Sequence, residues 1–131
     1  AKINSDAELA ALAVYFEKQK PKPSLRVIRG NAAAGRALYV TRCASCHGEM
    51  GEGKREINSP PDNEQEDSFL MDQLPKYASG QRGVHPGDAG GVMMKAAAAN
   101  LSLDDLRNVV AYIAKNLTVT PPLQKVGPPK K

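Results

Sequence analysis

The sequence predicts an all-α fold: three main helices, an extra helix at the N-terminus, and loops between them. Three observations lead there. Apolar residues recur at helical spacing in several separate stretches. No segment alternates convincingly in the manner of a strand, and glycine and proline cluster between the helical stretches. The protein core is also lean. The 131 residues include no Trp and only 5% aromatic residues, so apolar bulk other than side chains is expected to complete it. Nothing approaches the roughly 18 apolar residues of a membrane span, and no apolar leader segment follows Ala1. That reads as a mature exported form or as trimmed ends.

Taking the chain in order, residues 6–18 form an amphipathic pattern, with Leu9, Leu12, Ala13 and Phe16 at helical spacing. Pro21-Lys22-Pro23 ends it, because proline blocks continuation and restricts its predecessor. A basic linker runs to Gly30. Asn31 is suited to cap a helix that starts at Ala32. Along that helix Gly35, Tyr39 and Cys43 share one face. The glycine permits another helix to approach closely, and the tyrosine gives that contact bulk.

The helix leads into Cys43-Ala44-Ser45-Cys46-His47. Two thiols three residues apart, followed at once by an imidazole, suit haem c: the sulfurs can form two thioether bonds and the histidine can reach the iron as an axial ligand. Other readings of the pentapeptide are a thioredoxin-like dithiol, a zinc site or a simple disulfide. The dithiol wants a βαβ context, which is missing. A zinc site would need every Cys and His in the chain, including His85, and adjacent ligands at Cys46 and His47 do not match the usual spacing.

Residues 48–67 read as irregular. Phe69, Leu70, Gln73, Leu74 and Tyr77 mark a middle helix, which Pro75 should kink or shorten. Gly80–Gly91, with five glycines and a proline, reads as a loop. The Met- and Ala-rich run Val92–Ala99 reads as core. Ser102-x-x-Asp105 resembles a capping box, and Leu106, Val109, Val110, Ile113 and Leu117 form the core stripe of a last helix. Thr120-Pro121-Pro122 stops it, and a disordered Pro/Lys-rich tail follows. The expected organisation is an N-terminal helix and linker over 1–30, a haem domain over 31–119 and the tail over 120–131.

The formal net charge of +4 divides unevenly. Residues 1–30 and 118–131 each contribute +3, and residues 31–117 carry −2. The basic ends frame a domain that is not basic, which argues against nucleic-acid binding.

Together these features resemble class I cytochrome c, and within it the cytochrome c4-like haem domains of bacterial multi-domain proteins, over Asn31 to Leu117. The Gly35/Tyr39/Cys43 spacing resembles the family's N-terminal helix, and Val109 and Tyr112 match positions on the C-terminal helix that crosses it. The resemblance implies three main helices round one covalent haem c, held by Cys43 and Cys46 with His47 on the iron. It implies that the carbonyl of Pro60 accepts the Nδ1 proton of that histidine, and that Arg82, in Ser79-Gly80-Gln81-Arg82, lies near a haem propionate. For the sixth ligand the residues alone leave Met50, Met71, His85, Met93 and Met94 open. The family spacing to Leu101 selects Met94, with Met93 packed in the core. One departure stands out: Asp62 occupies a position that is apolar in the family, and is expected to face the haem edge or turn out to solvent.

The function so implied is electron transfer through an Fe(III)/Fe(II) couple, as a non-enzymatic carrier domain. It would sit outside the bacterial cytoplasm, in the periplasm, exchanging electrons with a partner protein or an adjoining redox domain. No residue set argues for hydrolytic or nucleophilic catalysis. The alternative is a haem enzyme or sensor, peroxidase-like or gas-binding, whose methionine ligand is labile. Finally, an offset of 97 lays Ser5 on Ser102, Leu9 on Leu106, Leu12 on Val109, Tyr15 on Tyr112 and Phe16 on Ile113. The N-terminal helix therefore reads as the last helix of a preceding haem domain, and the chain as part of a larger redox protein; the alternative is a genuine N-terminal extension that packs on a single-haem protein.

Overall fold

The computed structural model describes residues 2–20 and 28–118. The expected proline linker and Pro/Lys tail lie outside the described residues. Six α-helices are present among those described, with no strand: α1 (Asp6–Glu17), α2 (Ala32–Arg42), α3 (Ala44–His47), α4 (Asp67–Ala78), α5 (Ala89–Ala98) and α6 (Leu103–Tyr112). A 3₁₀ turn spans Arg55–Ile57, and a π-helical turn, Ile113–Leu117, extends α6. The fold is all-α, as the periodicity predicts.

The frame is the crossing of α2 over α6. Asn31 caps α2, its side chain accepting from the Ala34 N–H at 3.1 Å. Its own N–H donates to Asn108 Oδ1 on α6 at 2.8 Å, so the cap also ties the helices together. One turn on, a Cβ at Gly35 would lie 1.9 Å from the Asn108 carbonyl oxygen. Only glycine lets the backbones meet there. The next turn brings Tyr39, fully buried, against Tyr112 at 5.6 Å between ring centroids. A buried tyrosine needs a partner for its hydroxyl, and the Tyr39 hydroxyl donates to Gly48 O at 2.8 Å.

The α6 helix starts from a closed capping box: Asp105 N–H donates to Ser102 Oγ, and Ser102 N–H to Asp105 Oδ2, both at 3.0 Å. Its predicted stripe is the core. Leu106, Val109, Val110, Ile113 and Leu117 are all buried. The α4 helix closes the third side with Leu70, and its first-turn Asp67 accepts from the Ile28 N–H at 2.9 Å. That bond anchors the segment entering α2.

Two expectations need correction, and a third is narrowed. Pro75 lies inside α4 without shortening it. Its missing N–H forfeits one bond, but its carbonyl still accepts from Ser79 N–H at 2.9 Å, so the helix completes a further turn. The glycine-rich loop ends at Asp88, which caps α5 by accepting from Gly91 N–H at 2.9 Å. Gly90 and Gly91 are therefore helical. Half of the run Val92–Ala99 is exposed, with Ala98 its one buried residue. A helix packed on one side leaves about half its residues outside, whatever their hydrophobicity.

The α1 helix is formed but buries nothing. Leu9, Leu12, Tyr15 and Phe16 are all exposed, Phe16 by 67%.

Candidate functional site

The α2–α6 crossing and α4 leave an apolar cavity of about 220 Å³, lined by Cys43, Cys46, Leu70, Tyr77, Leu106 and Val109 among others. The thiol-bearing residues lie half-buried at its wall. Cys43 ends α2, and its carbonyl accepts from the N–H of Cys46 at 3.1 Å and of His47 at 2.9 Å. That single carbonyl winds the pentapeptide into the short turn α3, which turns both sulfurs and the imidazole toward the cavity. Burial, with the Asp62 carboxylate second, pushes the Cys43 thiol up to about 12, so the free group stays protonated at neutral pH.

His47 is buried, with 6% of its surface exposed. Its Nε2 faces the Met94 Sδ at 3.3 Å. Its Nδ1 is surrounded by oxygen: Pro60 O at 2.8 Å, Ser59 Oγ at 3.2 Å and Asp62 Oδ1 at 3.3 Å. The local fold accounts for this. Lys54 and Ser59 pair as an isolated β-bridge, each N–H donating to the other's carbonyl at 2.9 Å. The N–H groups of Asp62 and Asn63 donate to Gly51 O at 2.8 and 3.1 Å, and Asn63 Nδ2 to Met50 O at 2.8 Å. The segment 59–63 is thus pressed against the imidazole from behind. The region expected to be irregular is a clamp.

Cys43, Cys46, His47, Pro60 and Met94 all line this one cavity. Asp62 is not turned out to solvent; it lines the cavity. It turns inward to His47 Nδ1, with 15% of its side chain exposed, because its own N–H is held by Gly51. Burial pushes its carboxyl up, and the neighbouring imidazole partly offsets this. Arg82 does not line the cavity. Its Nη1 donates to Gln73 Oε1 at 2.6 Å and its guanidinium stacks 4.6 Å from the Tyr77 ring centroid. Tyr77 does line the cavity.

Among the other sulfurs and imidazoles, Met93 lies along the cavity but is 56% exposed rather than packed in the core. Met50 is exposed, and Met71 packs against the core. His85 is at the surface, with Nδ1 accepting from Gly87 N–H at 3.0 Å. Among the described residues no three of His, Cys, Asp and Glu cluster as metal ligands, so the zinc reading finds no site. What does stand together is two thiols, an imidazole and a thioether around an apolar cavity. This donor set fits haem c: two sulfurs for covalent attachment and two axial donors of the types that hold haem iron. Sequence reasoning missed the approach of Ser59 and Asp62 to Nδ1. Only the unusual acid at position 62 signalled it.

The helical frame and the site together define a haem-binding α-helical protein. The family model for cytochrome c matches residues 32–116, and the chain belongs to that family. Its cofactor is accordingly one covalent haem c, attached at the Cys43–His47 motif. The chain is 31% identical over 122 residues to cytochrome c4 of Azotobacter vinelandii, covering 83% of this chain and 54% of that protein. It is 35% identical over 89 residues to cytochrome c-554(547) of Halothiobacillus neapolitanus, covering 65% of this chain and 96% of that one. Among solved structures, reduced recombinant cytochrome c4 from Pseudomonas stutzeri superposes with a TM-score of 0.55 at 25% identity, over 83% of this chain and 60% of that one. Thiosulfate dehydrogenase (TsdBA) from Marichromatium purpuratum superposes at 0.57 and 29% identity, over 86% of this chain and 25% of that one. The chain thus spans about half the length of its cytochrome c4 relative. No described helix is long and apolar enough to cross a membrane.

Proposed function

We propose that the chain is an electron-carrier domain whose haem c has His47 and Met94 as axial ligands. The observation that carries this is the convergence of His47 Nε2 and Met94 Sδ, from residues 47 positions apart, within one cavity. Haem c supplies the one-electron Fe(III)/Fe(II) couple. The chain's residues do the rest. Cys43 and Cys46 anchor the group by thioether bonds. His47 Nδ1 donates to Pro60 O, which fixes the ring's orientation and raises its basicity. Met94 contributes a thioether, which favours Fe(II) and raises the potential. With His47 and Met94 both holding the iron, no position on it would be open to substrate. Arg82 does not line the cavity but stacks on Tyr77, which does, and from there would serve a haem propionate.

We further propose that the domain works outside the bacterial cytoplasm, within a larger redox protein or beside a protein partner. Two observations support an adjoining domain. The likeness to cytochrome c4 covers more of the chain than the family-model span of 32–116, so it reaches beyond the haem domain. In addition the apolar residues of α1, spread round the helix and unburied, repeat those of α6 at an offset of 97.

Intact mass and the optical spectrum test the reading. The mass should exceed the polypeptide by one haem that survives acid-organic extraction, and the ferric form should be low-spin with a weak sulfur-to-iron band at the red edge of the visible. Two alkylatable thiols would end the attachment claim. A high-spin ferric spectrum would end the ligation claim.

A further inference from the structure

We propose that Asp62 acts through His47 to lower the reduction potential of this domain. The inference rests on the reading of His47 as an axial ligand, and it concerns a residue where the resembled family carries an apolar side chain.

The Nδ1 of His47 has one hydrogen and three oxygens around it. The shortest contact, to Pro60 O at 2.8 Å, takes the hydrogen. Asp62 Oδ1, at 3.3 Å, then places its charge beside the ring. The group is well placed to act. Only 15% of its side chain is exposed, so water screens it weakly. Its backbone is held by Gly51 O at 2.8 Å, and the next residue is locked by two more bonds, so it cannot readily swing away. Among the described residues the one group paired with it is the His47 imidazole, and no lysine or arginine forms an ion pair that would cancel the charge.

Two effects follow, and they have the same sign. A carboxylate behind a metal-bound imidazole makes the ring a stronger electron donor. A buried negative charge close to the iron also favours the state with one more positive charge, Fe(III). Both oppose the thioether of Met94, which favours Fe(II). The Met94 thioether and the Asp62 carboxylate would therefore pull the potential in opposite directions.

The test is a spectroelectrochemical titration of the haem-loaded chain with mediator dyes, at one mildly alkaline pH. Asp62→Asn keeps the shape and removes the charge, and Asp62→Leu restores an apolar residue. Each is expected to move the Fe(III)/Fe(II) equilibrium at least tenfold toward Fe(II), which is 59 mV for one electron, with the low-spin spectrum unchanged. Glu64→Gln, which removes an exposed charge nearby, should move it less than twofold. A low-spin Asp62 variant within twofold of the parent overturns the proposal, as does a Glu64→Gln shift of equal size. If one variant does not take up haem the other decides; failure of both overturns it too, because it would make Asp62 a folding residue. A parent protein that is not low-spin would instead sink the His47/Met94 reading.

Discussion

The two adjacent methionines on α5 differ by their direction. Met94 Sδ points at His47 Nε2, whereas Met93 is more than half exposed at the cavity wall. Met94→Ala should abolish the low-spin spectrum of both oxidation states and lower the potential. Met93→Ala should leave the spectrum low-spin and change stability by less than about 1 kcal/mol, as expected away from the core. Optical spectra and thermal melts of the two variants check both. Tyr39 carries a pH signature. Burial, reinforced by the Asp62 carboxylate, holds its phenol well above its ordinary value. The folded state therefore keeps a proton that the unfolded state releases. Its contribution is full below about pH 10, the ordinary tyrosine value, and is lost as the pH rises toward the higher folded value. Tyr39→Phe should cost about 1–2 kcal/mol at neutral pH by removing the bond to Gly48 O. The gap between parent and variant melting temperatures should then narrow at strongly alkaline pH. A constant gap would show that the phenol is not the group being titrated.

At the scale of elements, the α2–α6 crossing holds the site together. It places Cys43 at the end of one helix against the wall that α6 builds. The contact distance is set by a missing side chain. A methyl group at Gly35 would sit 1.9 Å from a backbone carbonyl, which has no rotamer to yield. Gly35→Ala should therefore destabilise the domain by about 3 kcal/mol or more through overpacking, against the gain of up to about 1 kcal/mol that alanine normally brings within a helix. Chemical denaturation measures it. Ser102→Ala, which opens the capping box of α6, should cost about 1 kcal/mol and leave the spectrum unchanged. The contrast separates a helix that merely frays from a crossing that cannot close.

For the whole molecule, the haem domain and the N-terminal helix make unequal demands on each other. Residues 32–117 carry all the buried apolar residues among those described, and α1 carries none. Deleting residues 1–20 should shift the melting temperature of the haem-loaded protein by no more than about 4–8 °C, the effect of about 1 kcal/mol in a domain of this size. The visible spectrum should not change. A large loss would mean that α1 covers the domain it is attached to, which its exposed Leu9, Tyr15 and Phe16 argue against.

The features legible in the sequence are those decided within one or two turns of chain. The Cys43–His47 motif, the Asn31 and Ser102 caps and the buried stripe of α6 all follow from spacing along a local helix, where neighbours in sequence are neighbours in space. Even Gly35 announced a close approach. What the sequence left open depends on which distant segment arrives. The direction of Met94 rather than Met93 was selected by family spacing, but it is the packing of α5 on α4 that turns one sulfur inward and the other out. Whether Asp62 meets solvent, a haem edge or an imidazole is decided by Gly51, eleven residues away, which holds its backbone. Arg82 stacks on Tyr77 because two N–H groups after α4, those of Gln81 and Arg82, converge on Lys76 O and fold the chain back. The attachment of haem c is a local property of five residues. The polarity around His47 is a tertiary one, because the oxygens that face its Nδ1 come from a loop that hydrogen bonds within residues 50–63 fold onto it.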